Sequence, residues 1–513
     1  MGNVCKNCGN TDQEKFIKKG KNIIDGVVKF RVKCSVCHRQ QYDTDNQEEV
    51  KYQTEIKEKF APTYVRKGKR FVITSIQNNT ETHDAFLRSL ELFCVQNDAE
   101  LLVIPLTYEE NHYDELLWDI DDEYLVHDTF SLNNMVTVLA GMNTIVTALN
   151  PISALENLSR GTSLIVPHNQ LQMKSLPVIG DDPAIILCST GTVSKTNYPQ
   201  TKSGRKAQFN HSNSAVFLDF ESDMYHLRLL NGDEKGSFYD ITGFYNDFTY
   251  EPLTDSSCSS LTVGDEHISV RSEEVMRATY TNPDSIVNVL KPKIIVRHDV
   301  LDAFTISHHH AKDHFIQYSK YVTGFNKIED ELNETIKFII DTTPSFSTSY
   351  IVASNHNDHL LRWLTEADPK REPWNAKIFH KLTVLMLEEI EKNPNNIYKP
   401  NPFELYCNSI NVNINFIGRN ESFKIHGVEL SRHGDMGQNG ARGSLAQFSK
   451  FADKTIIGHS HSPGIDKGAY QVGSCTGKDL EYTNGISSWM NVHCILYKNG
   501  KRQLINIING KWR

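Results

Sequence analysis

A long apolar run is the first thing this 513-residue chain lacks. Its most apolar uncharged stretch, Met135–Leu149, is too short for a membrane span and is interrupted by Thr, Gly and Asn. That stretch reads as a buried helix or a pair of strands, and no membrane partner is expected. No basic segment followed by an apolar one opens the sequence, so no secretory signal is expected and a cytoplasmic location is. A basic surplus is missing too: net charge is −9. This weakens a nucleic-acid substrate without excluding it, because bound cations supply positive charge locally. Nor is there a disulfide framework. Of ten cysteines, four form two CxxC pairs and six are scattered, a usage that suits a reducing compartment.

What is present begins with those pairs. Cys5-Lys-Asn-Cys8 and Cys34-Ser-Val-Cys37 bracket a spacer rich in Lys and β-formers. Two such knuckles put four thiolates within reach of one structural Zn²⁺, whose binding would supply the folding energy a module this small cannot bury. Residues 1–45 are expected to be a zinc ribbon and 46–67 a polar linker or charged helix. A βαβ pattern follows, with Phe71–Thr74 as a strand, Thr82 as helix N-cap, an apolar stripe of Phe86, Leu87, Leu90 and Phe93, and Leu101–Ile104 as the second strand. Short apolar runs at Ser163–Val166, Ala184–Leu187 and Ala215–Phe220 continue it. Residues 68–255 are therefore an accessory α/β domain, and Asn78-Asn-Thr80 reads as a plain turn rather than a binding loop.

The chemistry lies in 256–513. Metal-ligand side chains stand at the ends of apolar runs: Asp265 and His267 after Ser260–Val263, Asp299 after Lys293–Val296, and Asn355 and His356 after Tyr350–Ala353. His433 follows the alternating stretch Phe423–Leu430, and His459 and His461 follow Lys454–Ile457. Functional residues at strand C-termini are the geometry of an α/β sheet site. Ile328, Leu332, Ile336 and Ile339 recur at helical spacing between two of these strands. Carboxylate, imidazole and amide donors suit a pair of divalent cations. Mn²⁺ fits the mixed set best, with Mg²⁺, Fe²⁺ and Zn²⁺ as alternatives.

Taken in order, Asp265-Glu-His267, His298-Asp299-Val-Leu-Asp302, Ser354-Asn355-His356-Asn357, His433 and Gly458-His459-Ser-His461 resemble the signature of the calcineurin-like metallophosphoesterases. The resemblance covers about residues 260–465. It implies a β-sandwich flanked by helices, here preceded by the accessory domain and the ribbon. It also implies that Asp265, His267 and His461 hold one metal, that Asn355, His433 and His459 hold the other, and that Asp299 bridges them. His356 would face the substrate as proton donor in a direct in-line hydrolysis, with Asp302 orienting it. Two positions depart from the pattern. His298 stands where the family has Gly, which would narrow the floor of the site, and Asn357 stands where it has Asp or Glu.

Substrate contacts are less defined. Arg432, Arg442 and His298 are candidates for meeting a phosphate, with ordinary surface arginines as the alternative. His308-His-His310 with His314 reads as the polar start of a helix rather than as a further metal site. Stretches such as Arg70–Thr74, Ser354–Asp358 and Lys501–Ile507 are also similar to the early host-DNA-degrading nucleases of T-five-like bacteriophages. That similarity implies a Mn²⁺-dependent DNase of little sequence specificity, with DNA as its partner, working in the cytoplasm of a bacterial host. A phosphatase acting on protein or nucleotide monoesters is the alternative, and a non-enzymatic zinc-ribbon regulator a more distant one. A homo-oligomer, with the accessory domain as its interface, is expected to restrain so indiscriminate an activity.

Overall fold

The computed structural model describes residues 3–24, 27–49, 61–106, 118–142, 144–180, 183–396, 399–477 and 485–513. The chain divides into two compact units, Met1–Ala61 and Pro62–Arg513. In the first, Phe16–Ile24, Val27–Cys34 and Gln40–Glu49 form a three-stranded antiparallel sheet. The last of these strands runs through residues 46–49, which the sequence assigned to a linker. Half of that linker, residues 50–60, lies outside the described residues.

The second unit is mixed α/β and is organised by three sheets. A six-stranded sheet has the order Asn415–Ile417, Thr348–Val352, Ile294–Arg297, Cys258–Thr262, Asn491–Tyr497, Arg502–Ile507. The first four strands run parallel, Asn491–Tyr497 runs against them, and Arg502–Ile507 pairs antiparallel with Asn491–Tyr497. Because side chains alternate along a strand, neighbours enter different cores. Ile295 and Ile351 face the helices Ile328–Asp341, Asn355–Glu366 and Ala376–Lys392, among Leu332, Ile336, Leu360, Trp363 and Leu382. Val296 and Val352 point the other way, into a core built from the remaining sheets. Sandwiching between helices and sheets explains why these strands read as apolar runs with little alternation.

The opposing sheet has eleven strands, and its order crosses the expected boundary at residue 255. Gly464–Asp466, beside the strands Ala469–Gln471 and Lys454–Ile457, pairs antiparallel with Gln172–Leu176. From there the sheet continues through Ile185–Ser189, Ser163–Val166, Val136–Val138 and Phe130–Leu132 to Tyr64–Arg66. Thus residues 130–189 and 424–471 share one sheet inside one compact unit. A third sheet, Met224–Asn231, Ser214–Glu221, Arg70–Gln77 and Glu100–Leu106, carries the βαβ unit. Its helix, Asp84–Asn97, buries Phe86, Leu90 and Phe93. His83, not Thr82, caps this helix by accepting from Phe86 N, while Thr82 is tied to Asp119. Within Met135–Leu149 the strand Val136–Val138 pairs with Phe130–Leu132, so the stretch is half of a strand pair and then irregular chain. No helix among the described residues is long and apolar enough to cross a membrane.

Candidate metal centre

Strand ends of the six-stranded sheet, which carry Asp265, His267, Asp299 and Asn355, and of the eleven-stranded sheet, which carry His433, His459 and His461, deliver the expected side chains to one place. Each chain leaves its strand through a tight reversal. His267, Asp299, His459 and His461 all adopt left-handed backbone, with φ of 41°, 44°, 75° and 59°. Such conformations cost non-glycine residues of order 1–3 kcal/mol each and persist only where the surroundings over-determine them. Here they turn consecutive side chains into a common cleft. Backbone bonds lock the turns together: His267 N donates to Asp299 O at 2.9 Å, and Glu266 N to His298 O at 3.0 Å. Asn355 and His356 arrive on the first turn of their helix, whose Ser354 cap accepts from Asn357 N.

Two groups of donors result. In one, His461 Nε2 lies 3.1 Å from Asp265 Oδ2 and 3.0 Å from His267 Nε2. In the other, His433 Nε2 lies 3.0 Å from Asp299 Oδ2 and 3.1 Å from Asn355 Oδ1, with the His459 ring packed on that of His433. Asp299 stands between them, since the same Oδ2 is 3.8 Å from His267 Nε2. Asp265 also spans the groups, accepting from His459 N at 2.7 Å. Gly458 makes room for this: a Cβ there would lie 2.2 Å from Asp265 Oδ1.

The residues fit a pair of divalent cations by a direct test. Asp265 Oδ1, Asp299 Oδ1 and His461 Nδ1 are buried without a hydrogen-bond partner among the described residues. Two carboxylates, four imidazoles and one amide, all nearly or partly shielded from solvent, are a donor set for Mn²⁺, Fe²⁺, Zn²⁺ or Mg²⁺. The charges lean that way at Asp299 and against it at His433, whose proton a cation would have to displace. Burial opposes ionisation of Asp299, but His433 and His356 hold it well below the ordinary carboxylate range. Burial opposes charge on His433 too, yet Asp299 and Asp265 raise it to about 9.

Asp302 ties this centre to its neighbour. Its Oδ1 is 2.9 Å from His267 Nδ1 and 3.1 Å from His356 Nδ1, and its carbonyl is also 3.1 Å from His356 Nδ1. Burial pulls the His356 imidazole down, but Asp299 and Asp302 outweigh it and lift it to about 10. His356, Asn355, Asp299, Asp302, His459 and His461 line a cavity of about 630 Å³, together with Phe304 and Trp489.

His298 departs from its expected place. It is fully buried, its ring is packed on His433 with the two Nδ1 atoms 3.3 Å apart, and it contacts no solvent. It groups with Asp265 and His433 as a further set of atoms able to hold a cation, and it does not line the cavity where a substrate would lie. Burial and the neighbouring His433 push it down to about 4, so it is a neutral imidazole. Arg432 is likewise committed, donating to the carbonyls of Arg419 and Glu421. Arg442 is exposed on the following loop. Sequence reasoning passed over Trp489, whose ring lies 4.1 Å from that of His461. It also passed over the buried frame in which Arg297 donates to Glu266 at 2.7 Å and to Tyr280 at 2.9 Å. Glu266 could have been suspected, being the acidic residue enclosed by Asp265 and His267.

In the N-terminal unit, Cys5, Cys8, Cys34 and Cys37 come together, with Sγ–Sγ distances of 3.5 Å for Cys5–Cys37 and 3.7 Å for Cys8–Cys34. A tetrahedral zinc–thiolate site places sulfurs roughly 3.8 Å apart, so the cluster is compatible with zinc. Backbone donation from Arg39 pulls Cys37 down to about 6, toward the thiolate such a site needs.

Compared with curated proteins, the chain is 33% identical over 466 residues to Protein A1 of Escherichia phage T5, covering 87% of this chain and 83% of that protein. No family model matches the chain, and no solved structure matches it.

Proposed function

The chain belongs to the family of Protein A1 of Escherichia phage T5, and from that premise we propose that it is a metal-dependent phosphodiester hydrolase of the calcineurin-like metallophosphoesterase type, acting on DNA. The observation that carries the reading is the clustering of seven donors, Asp265, His267, Asp299, Asn355, His433, His459 and His461, of which Asp299, Asn355, His459 and His461 line one cavity beside a His356–Asp302 pair. Asp265, His267 and His461 would hold one cation, Asn355, His433 and His459 the other, and Asp299 would serve both. When bound, such a pair supplies Lewis acidity toward phosphoryl oxygens and lowers the pKa of a water.

The chain's own residues supply the rest. Asp302 holds His356 by Nδ1, which leaves Nε2 as the nitrogen that gives a proton to the departing oxygen. The carboxylates around His356 keep it charged and ready to do so. Asp302 also fixes the orientation of His267. The cavity is large enough for a nucleotide unit, and Phe304 and Trp489 offer aromatic faces to a base. A small monoester needs neither feature, which favours a polymeric substrate over the phosphatase alternative.

The test is incubation with closed circular duplex DNA in Mn²⁺, Mg²⁺ or EDTA, beside a His356→Ala variant. Metal-dependent nicking that the substitution abolishes is expected. An intact circle, with linear DNA also untouched, would refute the reading and bring the phosphatase forward.

A further inference from the structure

The wall of the same cavity carries a second imidazole cluster that the paired centre does not use. The helix Asn355–Glu366 places His359 one turn beyond Asn355 and His356, with Arg362 a further turn on, so all four share a face. Opposite stands the turn that follows Phe304–Ile306, bearing His308 and His309. This turn is firmly held. Glu331 accepts from Phe304 N at 2.9 Å and Thr305 N at 3.0 Å, and Lys320 Nζ donates to Phe304 O. One nitrogen each from His308, His309 and His359 lies within 4.8 Å of the others. The His308 and His309 rings are 3.9 Å apart, and those of His308 and His359 are 5.1 Å apart.

We propose that His308, His309 and His359 form a third cation site, built of imidazole alone and therefore selective for zinc-class ions over Mg²⁺. Two facts point to a ligand there. His359 Nδ1 is buried without a hydrogen-bond partner among the described residues, an arrangement that costs free energy unless something fills it. Arg362 Nη1, which can only donate, lies 3.0 Å from His308 Nε2, so that nitrogen carries the lone pair of the ring and Nδ1 its proton. The guanidinium thus stands where a cation would. It has somewhere to go, because its Nε already donates to Glu366 Oε1 at 3.1 Å on the exposed side. Three nitrogens around zinc stand roughly 3.3 Å apart, so closing the cluster needs rotamer changes rather than a backbone shift. Imidazole ligands without carboxylate favour Zn²⁺, Ni²⁺ or Cu²⁺ and give Mg²⁺ nothing to bind. The proposal stands apart from the hydrolase reading, since it concerns occupancy rather than turnover.

The experiment titrates chelator-stripped full-length protein with Zn²⁺ and counts bound equivalents by elemental analysis. A His308→Gln, His359→Gln double variant is expected to bind a single equivalent fewer than the parent. Arg362→Gln, which frees the lone pair and removes a repelling charge, is expected to bind that equivalent roughly tenfold or more tightly. Equal equivalents in the parent and in a double variant with native circular dichroism would overturn the site. Should the double variant misfold, the parent is decisive: His308, His309 and His359 are labelled with diethylpyrocarbonate and read by peptide mass. Protection by Zn²⁺ but not Mg²⁺ is expected, and identical labelling with and without Zn²⁺ refutes the proposal. Loss of DNA cleavage with intact zinc counts would bear on the proposed function alone.

Discussion

Asp302→Asn is the substitution that separates holding from reacting in this centre. The carboxylate touches two imidazoles at once, His267 at 2.9 Å and His356 at 3.1 Å, and the amide keeps its size while removing its charge. On the His267 side the loss is one of orientation behind a proposed metal ligand, expected to weaken cation binding about 10- to 100-fold. On the His356 side the proposed proton donor would lose both its anchor and the charge that stabilises its imidazolium, expected to slow turnover about 10²- to 10⁴-fold. The latter corresponds to about 3–5 kcal/mol in activation free energy. The two effects part company in a Mn²⁺ titration of the initial rate on a chromogenic phosphodiester. Raising Mn²⁺ should restore the first deficit and leave the second. A variant within about threefold of the parent rate at saturating Mn²⁺ would refute the role given to Asp302.

Other expectations follow from the same geometry. Gly458→Ala forces a methyl to within 2.2 Å of Asp265 Oδ1, so it should displace that carboxylate and lower Mn²⁺ affinity by tenfold or more, read by calorimetric titration. Asp240, fully buried against Arg228 at 2.8 Å, is held below its ordinary range because Arg228, Thr242 and Gln503 outweigh the penalty of burial. Asp240→Ala would strand that guanidinium and should cost about 3–5 kcal/mol in denaturant unfolding near neutral pH. A lowered carboxylate contributes stability above its unfolded pKa, about 3.9, and loses it as pH falls through the folded value. The gap between parent and variant should therefore close only in acid below about pH 4. Cys34→Ser should unfold the N-terminal unit, seen as rapid proteolysis before residue 50, while residues 62–513 keep their melting transition, since the two units are compact separately.

Much of the donor set was readable because each residue sits where an apolar run stops. Ser260–Val263 and Lys454–Ile457 announce strands, and the Asp or His just beyond is carried to the sheet's end whatever the rest of the chain does. His298 was misread for a related reason. It lies one residue past its strand, and which way it points depends on the left-handed turn at Asp299, φ 44°, which no local pattern encodes. The four clustered cysteines declare themselves by spacing, but the end of the strand Gln40–Glu49 is so polar that residues 46–49 looked like a linker. They are strand because Val27–Cys34 offers them a paired edge. The histidine cluster was dismissed as the start of a helix. That helix begins only at His314 with Asp313 as its cap, and His359, which completes the cluster, is fifty residues away in sequence. Pairings such as Gln172 with Asp466 are likewise invisible locally, since hydrogen bonding between strand edges depends on shape and not on residue type.

The shared eleven-stranded sheet makes the donor-bearing half a poor candidate for transplantation. A fragment beginning at residue 256 would keep every proposed ligand yet leave Gly464–Asp466 facing water where Gln172–Leu176 should pair. It would also strip Asn506, Arg502 and Gln503 of their bonds to Leu227, Asn231 and Leu229. An exposed strand edge over an uncovered apolar face recruits other copies of itself. Such a fragment should precipitate rather than hydrolyse, and anyone wishing to graft this chemistry onto another scaffold would have to carry residues 62–513 entire.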